Sequence, residues 1–143
     1  MLWIWLLVLW VFALLKNEAS FSQQDQSSIV MNSIHGVLVS TIQTPLSPSV
    51  IERFKYDILD RLEHEKINYI FFDFSGLTIM DIVEFKAIEK IITMAKMMGT
   101  DSVLVGLHPG IVASLVLYDI DTQALNTALD VDDAFTRLNL RVD

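Results

Sequence analysis

The sequence has no cysteine among its 143 residues. Disulfides and thiolate chemistry are therefore excluded, and a reducing compartment is compatible. Glycine is scarce, at five residues. No glycine-rich phosphate cradle can be drawn, and no G-x-S-x-G, Walker or dinucleotide fingerprint is present. Positive charge is short as well. The net charge is −8, and between Ser28 and Asp143 nine Lys and Arg face sixteen Asp and Glu. A surface that tracks phosphates needs clustered positive charge, so no nucleic acid is expected as a partner. The three histidines, His35, His64 and His108, lack metal-ligand spacing to one another or to a carboxylate motif. Asp130, Asp132 and Asp133 read as helix-entrance acids rather than as a hard-cation site. No catalytic residue, metal or cofactor is called for, and the chain reads as a protein that binds rather than catalyses.

What the sequence does have is one long apolar run, Met1 to Leu15 (MLWIWLLVLWVFALL). As a helix it would reach about 22 Å at 1.5 Å per residue, short of a bilayer core of about 30 Å. It lacks the basic residue that opens a signal peptide, and no clear cleavage pattern follows. Ser20 to Ser28 is rich in Ser and Gln, as in a tether. Residues 1–27 thus read as a weak membrane anchor, a poor export signal or an upstream extension of the functional protein. Residues 28–143 read as one domain with a core of its own.

Within that domain, short β-rich runs alternate with amphipathic stretches. Ser28–Asn32 and Val37–Gln43 are strand candidates on either side of a His35-Gly36 turn, which implies an antiparallel hairpin. Thr44–Pro48 punctuates. Ser47 caps a helix with Pro48 at its first position, and that helix ends near Lys66. Val50, Ile51, Phe54, Ile58, Leu59 and Leu62 give it one apolar stripe. Asn68–Phe74 is a strand apolar enough to be covered on both faces. A helix follows from Asp81 to Met98, stopped by Gly99. Ser102–Leu107 is a further buried strand. Pro109 opens a helix to about Tyr118, Ala124–Leu129 holds a short strand, and Val131–Asn139 is a last helix entered at Asp130 or Asp132. The fold class is α/β: a mixed, mainly parallel sheet of four to five strands covered by about four helices.

The most informative stretch is Asp73-Phe74-Ser75-Gly76-Leu77-Thr78-Ile79-Met80-Asp81-Ile82, which leaves a central strand and enters a helix. Partner and ligand sites of open α/β sheets collect at such carboxyl ends of strands. A wheel at about 100° per residue turns Ala87, Ile88, Ile91, Ile92, Ala95 and Met98 to the sheet. It turns Lys86, Glu89, Lys90, Thr93 and Lys96 outward, and Ile82 with them. Asp81 and Glu84 have the spacing of a capping box. The plainer reading keeps Asp81 as a cap and Ile82 as a stray surface residue.

These stretches together carry a resemblance. VLVSTIQ, IFFDFSGLTIMD, ITMAKMMGTDSVLVGLHPGIVASLV and TALDVDDAF, in that order and spacing, resemble the STAS domain of anti-sigma-factor antagonists. Among its members they look most like the small stressosome scaffolds of the RsbS type. The resemblance runs from about Ser28 to Leu140. It implies a cytoplasmic, non-enzymatic regulator in stress-response signal transduction, which assembles with other STAS-domain proteins and holds a switch kinase released by phosphorylation. It also implies a Ser or Thr phosphoacceptor directly after the Asp at position 81. This sequence has Ile82 there, which has no hydroxyl. Ser114 aligns with a second modified residue of such scaffolds, although a small residue packed on the sheet explains it more simply.

The expected partner-binding turn is Ser75, Gly76, Thr78, Asp81 and Ile82, with the helix edge Lys86, Glu89 and Lys90. Ser75 and Thr78 are turn formers beside Gly76 rather than acceptors. A homo- or hetero-oligomer follows from this reading. The reading from another class is a membrane-tethered regulatory domain, held by residues 1–15 and modulating a membrane protein.

Overall fold

The computed structural model describes residues 2–18, 29–43 and 46–141. The expected tether, the strand start at Ser28, the punctuation at Thr44 and Pro45, and the terminal Asp143 lie outside the described residues. The first helix, α1, spans Leu2–Glu18, and the side chains from Leu2 to Val11 are all exposed. Among the described residues no helix is long and apolar enough to cross a membrane.

Two strands, β1 (Ile29–Ile34) and β2 (Val37–Ile42), form the expected antiparallel hairpin, with Ile34 opposite Val37. The two residues between them, His35 (φ 49°) and Gly36 (φ 79°), both adopt positive φ. A two-residue turn of that kind matches the twist of paired strands. The helix α2 (Pro48–His64) begins where Ser47 Oγ accepts the Val50 N–H, with Pro48 at the first position. Next come β3 (Tyr69–Asp73), α3 (Ile82–Met97), β4 (Asp101–Val105) and α4 (Pro109–Leu117). A 3-10 turn (Thr122–Ala124), the two-residue β5 (Thr127–Ala128) and α5 (Val131–Arg137) complete the chain. The last helix is thus shorter than expected: it stops at Arg137, and Asn139 already has φ 54°.

The sheet order is β1-β2-β3-β4-β5, and every pairing after the hairpin is parallel. Side-chain alternation divides it into two faces. Leu38, Ile42, Ile70, Phe72 and Leu104 join Phe54 and Ile58 of α2, Ile88 and Ile91 of α3, and Ile111 and Leu115 of α4 in the larger core. Val37, Phe71, Val103 and Val105 meet Ala134 and Phe135 of α5 in the smaller one. Phe72 packs edge-on to Phe54 at 6.0 Å, and Phe71 edge-on to Phe135 at 5.1 Å. β3 is therefore covered on both faces, as its unbroken apolar run requires. The burial also orients α3, whose inner face is Phe85, Ile88, Ile91 and Ala95.

Candidate functional site

The turn from Ser75 to Asp81 is held from beneath and from three sides. Phe74, Leu77 and Met80 are buried and anchor it, leaving Ser75, Gly76, Thr78 and Ile79 exposed. The Ser75 N–H donates to Asp73 Oδ1 (3.0 Å), the Phe74 N–H to the Val105 carbonyl (2.9 Å), and the Leu77 N–H to the Phe74 carbonyl (2.9 Å). The close approaches fall on glycines. A Cβ at Gly76 would lie 3.1 Å from the Ile42 carbonyl oxygen, and one at Gly110 would lie 2.8 Å from that of Thr78. Gly106 has φ 67°, and a Cβ there would meet Ser75 at 3.0 Å. Three neighbouring segments thus press on the turn at positions where only glycine leaves room. Gly106 and Gly110 escaped the sequence reading. Their one sequence signal is placement, just after a buried strand and at a helix start.

The entrance of α3 is a complete capping box. Asp81 Oδ1 accepts the Glu84 N–H (2.8 Å), and Glu84 Oε2 accepts the Asp81 N–H (3.0 Å). The other Glu84 oxygen, Oε1, accepts the Leu46 N–H (3.0 Å). One carboxylate therefore ties the start of α3 to the segment before α2. Both carboxylates also sit at the positive end of the helix, where negative charge is stabilised.

Ile82 is not where the wheel put it. It is half-buried, and the exposed apolar side chains of the entrance are Ile79 (77 %) and Val83 (73 %), which flank it. A wheel describes one helix about its own axis and leaves out whatever chain lies beside it. Met98, expected against the sheet, is 47 % exposed, because the helix has ended and it is the C-cap. Phe85 belongs to the inner face and Ala87 is only half-buried. Of the expected helix edge, Lys86 and Lys90 are exposed, while Glu89 is half-buried rather than exposed. The structure does bring α4 to the turn through the Gly110–Thr78 approach. There Ser114 is half-buried, and its hydroxyl donates to the Gly110 carbonyl (3.0 Å). Val112, Val116, Leu117 and Tyr118 of α4 are exposed, an apolar surface that the sequence reading also missed.

Two other polar side chains serve as helix caps. His108 caps α4, its Nδ1 accepting the Gly110 N–H (3.2 Å). Asp130 caps α5 through the Asp133 N–H (2.8 Å). The Leu129 N–H, donated to Asp133, holds that carboxyl below the usual carboxylate range, and Arg137 adds to the effect. Among the described residues no group of three or more His, Asp or Glu is placed to hold a metal ion.

A model of one protein family, the STAS domain, matches residues 28–134. The chain belongs to the STAS domain family. A similar curated protein is the RsbT co-antagonist protein RsbRD of Bacillus subtilis, 25 % identical over 105 residues. That match takes in 73 % of this chain and 36 % of the relative, so this chain spans about a third of the length of RsbRD. Two solved structures share the fold. A substituted form of RsbS from Moorella thermoacetica superposes with a TM-score of 0.68 at 22 % identity, over 78 % of this chain and 94 % of that one. The unphosphorylated anti-sigma factor antagonist SpoIIAA gives 0.65 at 13 % identity, over 80 % and 99 %. The five-stranded mixed sheet and its helices are thus the STAS fold, and the capped α3 entrance is a feature of this STAS domain.

Proposed function

We propose that this STAS domain is a regulatory scaffold or anti-sigma-factor antagonist that works by binding other STAS-domain proteins and a switch kinase in the cytoplasm. Binding, not catalysis, is its activity. The observation that carries the reading is the α3 entrance: Ile79 and Val83 stand exposed on either side of a rigidly capped turn. Two exposed apolar side chains on a backbone held by buried anchors suit a protein contact, because the segment that presents them is already ordered before docking. Asp81, Lys86 and Lys90 surround them with charge, as in the polar rim of an interface.

The same reading makes Ile82 a locked switch. Phosphorylation after Asp81 would bring nearly two negative charges to an apolar contact. Ile82 has no hydroxyl to receive them, so the domain stays in its binding state. Treated with ATP and the kinase it binds, the natural chain is expected to take up no phosphate, whereas Ile82→Ser takes up one and releases its partner. Phosphate on the natural chain, at Ser114 or any other hydroxyl, would end the locked-switch reading.

A second reading rests on α1, whose first turns are apolar on every side and exposed. A helix apolar all round is normally buried in a core or in lipid. In that case α1 tethers the domain to a membrane, where it modulates a membrane protein. Fractionation of the full chain, co-expressed with STAS-domain proteins of the same cell, separates the two. A large soluble particle is the outcome the scaffold requires. Pelleting with membranes that is lost when residues 1–15 are removed is what the tether requires. A strictly monomeric soluble chain would sink both.

A further inference from the structure

The two edges of the sheet end differently. At one, β5 is two residues long and leaves little backbone to pair. At the other, β1 runs for six residues, and among the described residues it pairs with β2 alone. Natural sheets blunt a long edge with Lys, Pro or a bulge, because its unpaired N–H and C=O groups recruit another strand. β1 has none of these. Its sequence, IVMNSI, holds no charge and no proline, and its register on β2 is unbroken.

The hairpin fixes which groups stand open. A two-residue turn with positive φ at both residues is closed by a hydrogen-bonded pair, here Ile34 and Val37. Alternation then turns the backbone of Ile34 and Asn32 to β2, and that of Ser33 and Met31 to the open side. Side chains alternate too. Met31 packs on the larger core, and Ser33 Oγ donates to Glu65 of α2 (2.6 Å). Val30, Asn32 and Ile34 point to the other face, where no residue of β1 joins the core under α5. All three are exposed, Val30 at 48 % and Ile34 at 41 %.

β1 of a second copy fits this edge in a register that completes both chains at once. With the strands antiparallel about a twofold axis at Asn32, Met31 and Ser33 exchange backbone hydrogen bonds with Ser33 and Met31 of the second copy. The same register sets Val30 opposite Ile34 of the second copy, twice, on the uncovered face. Each apolar side chain left exposed in one chain thereby meets an apolar one. Two chains of net charge −8 repel at a distance. The seam itself is neutral, because β1 is uncharged and the two charged groups at Ser33, Arg61 and Glu65, are paired with each other.

We infer that β1 is a self-association edge: two copies pair their β1 strands antiparallel about Asn32 and join two five-stranded sheets into one. None of these residues belongs to the α3 entrance, so the pairing stands whether or not that entrance binds a partner.

The absence of cysteine permits a direct test on the full chain. Asn32→Cys places a single thiol on the twofold axis, in a non-hydrogen-bonded pair whose Cα atoms lie about 4.5 Å apart, a distance that a disulfide bridges. Oxidation by diamide is expected to link this chain into a dimer about tenfold faster than Thr127→Cys, an exposed thiol on the other edge. Association through α1 would favour neither position. In the Asn32→Cys chain, Val30→Lys with Ile34→Lys sets like charges opposite each other at two places and should remove the preference. Val30→Lys with Ile34→Glu sets opposite charges there and should restore it, which excludes misfolding as the cause of the loss. Equal linking of the two single-cysteine chains would overturn the inference. So would a preference that survives the paired Lys substitutions, or one that the Lys and Glu combination fails to restore.

Discussion

Replacing Ile79 and Val83 together by Asp is expected to weaken binding to a partner STAS domain about a hundredfold or more. Fully burying a side chain of this size contributes about 1.5–3 kcal/mol, and both are available, at 77 % and 73 % exposure. Interface energy concentrates in a few such anchors, so their loss is not spread thinly over the contact. Two carboxylates in their place would also be buried without partners on docking. Stability should hardly change, because substitutions at exposed sites usually stay within about 0.5 kcal/mol. Isothermal titration against the partner gives the affinity, and urea unfolding of the same sample gives the stability. Unchanged affinity in a folded double variant would remove the α3 entrance from the interface. Lost affinity together with lost stability would point to unfolding, and single variants at each position would then separate the two.

Removing the Glu84 carboxylate should produce the largest stability loss at the site. Glu84→Ala is expected to lower unfolding free energy by about 2–4 kcal/mol, a large share of a typical domain's total. The carboxylate accepts from both Asp81 and Leu46, at 3.0 Å each. Hydrogen bonds to a charged group contribute about 1.5–3 kcal/mol each, reduced here by exposure to water. Glu84→Gln keeps one strong acceptor and should recover about half of the loss. Denaturant midpoints of the three proteins, at constant m-value, provide the comparison. An Ala variant as stable as the natural chain would mean that the tie between the Leu46 segment and α3 is made elsewhere. The same variant bears on binding, because loosening the entrance frees Ile79 and Val83 to reorient.

Much of this architecture was readable from local patterns. The His35-Gly36 hairpin, the Ser47-Pro48 helix start and the Asp81–Glu84 capping box all depend on residues within a few positions of one another. The order of strands and helices followed from periodicity, since burial on one face repeats every second residue in a strand and every third or fourth in a helix. The turn at Ser75–Ile82 was also legible, as a strand-to-helix passage at the carboxyl end of a central strand. The STAS resemblance, carried by the order of four stretches, pointed to the fold that the family match and the sheet order bear out.

The differences at Ile82, Glu84 and Glu89 share one cause. Ile82 was placed on the outer arc because a helix wheel contains nothing but its own helix. Ile82 is half-buried in the fold, and a wheel carries no information about the chain that lies beside the helix. Glu84 read as a cap partner only, since its bond to Leu46 crosses thirty-eight positions. Glu89 read as exposed for the same reason. By itself, then, the amino-acid sequence determined the elements, their caps, the STAS class and an Ile directly after the capping Asp81, all of which are local or composite patterns. Only the tertiary structure decided that Ile79 and Val83, rather than Ile82, are the apolar side chains on offer. Exposure is a property of what packs against a residue, and those neighbours lie far away along the chain.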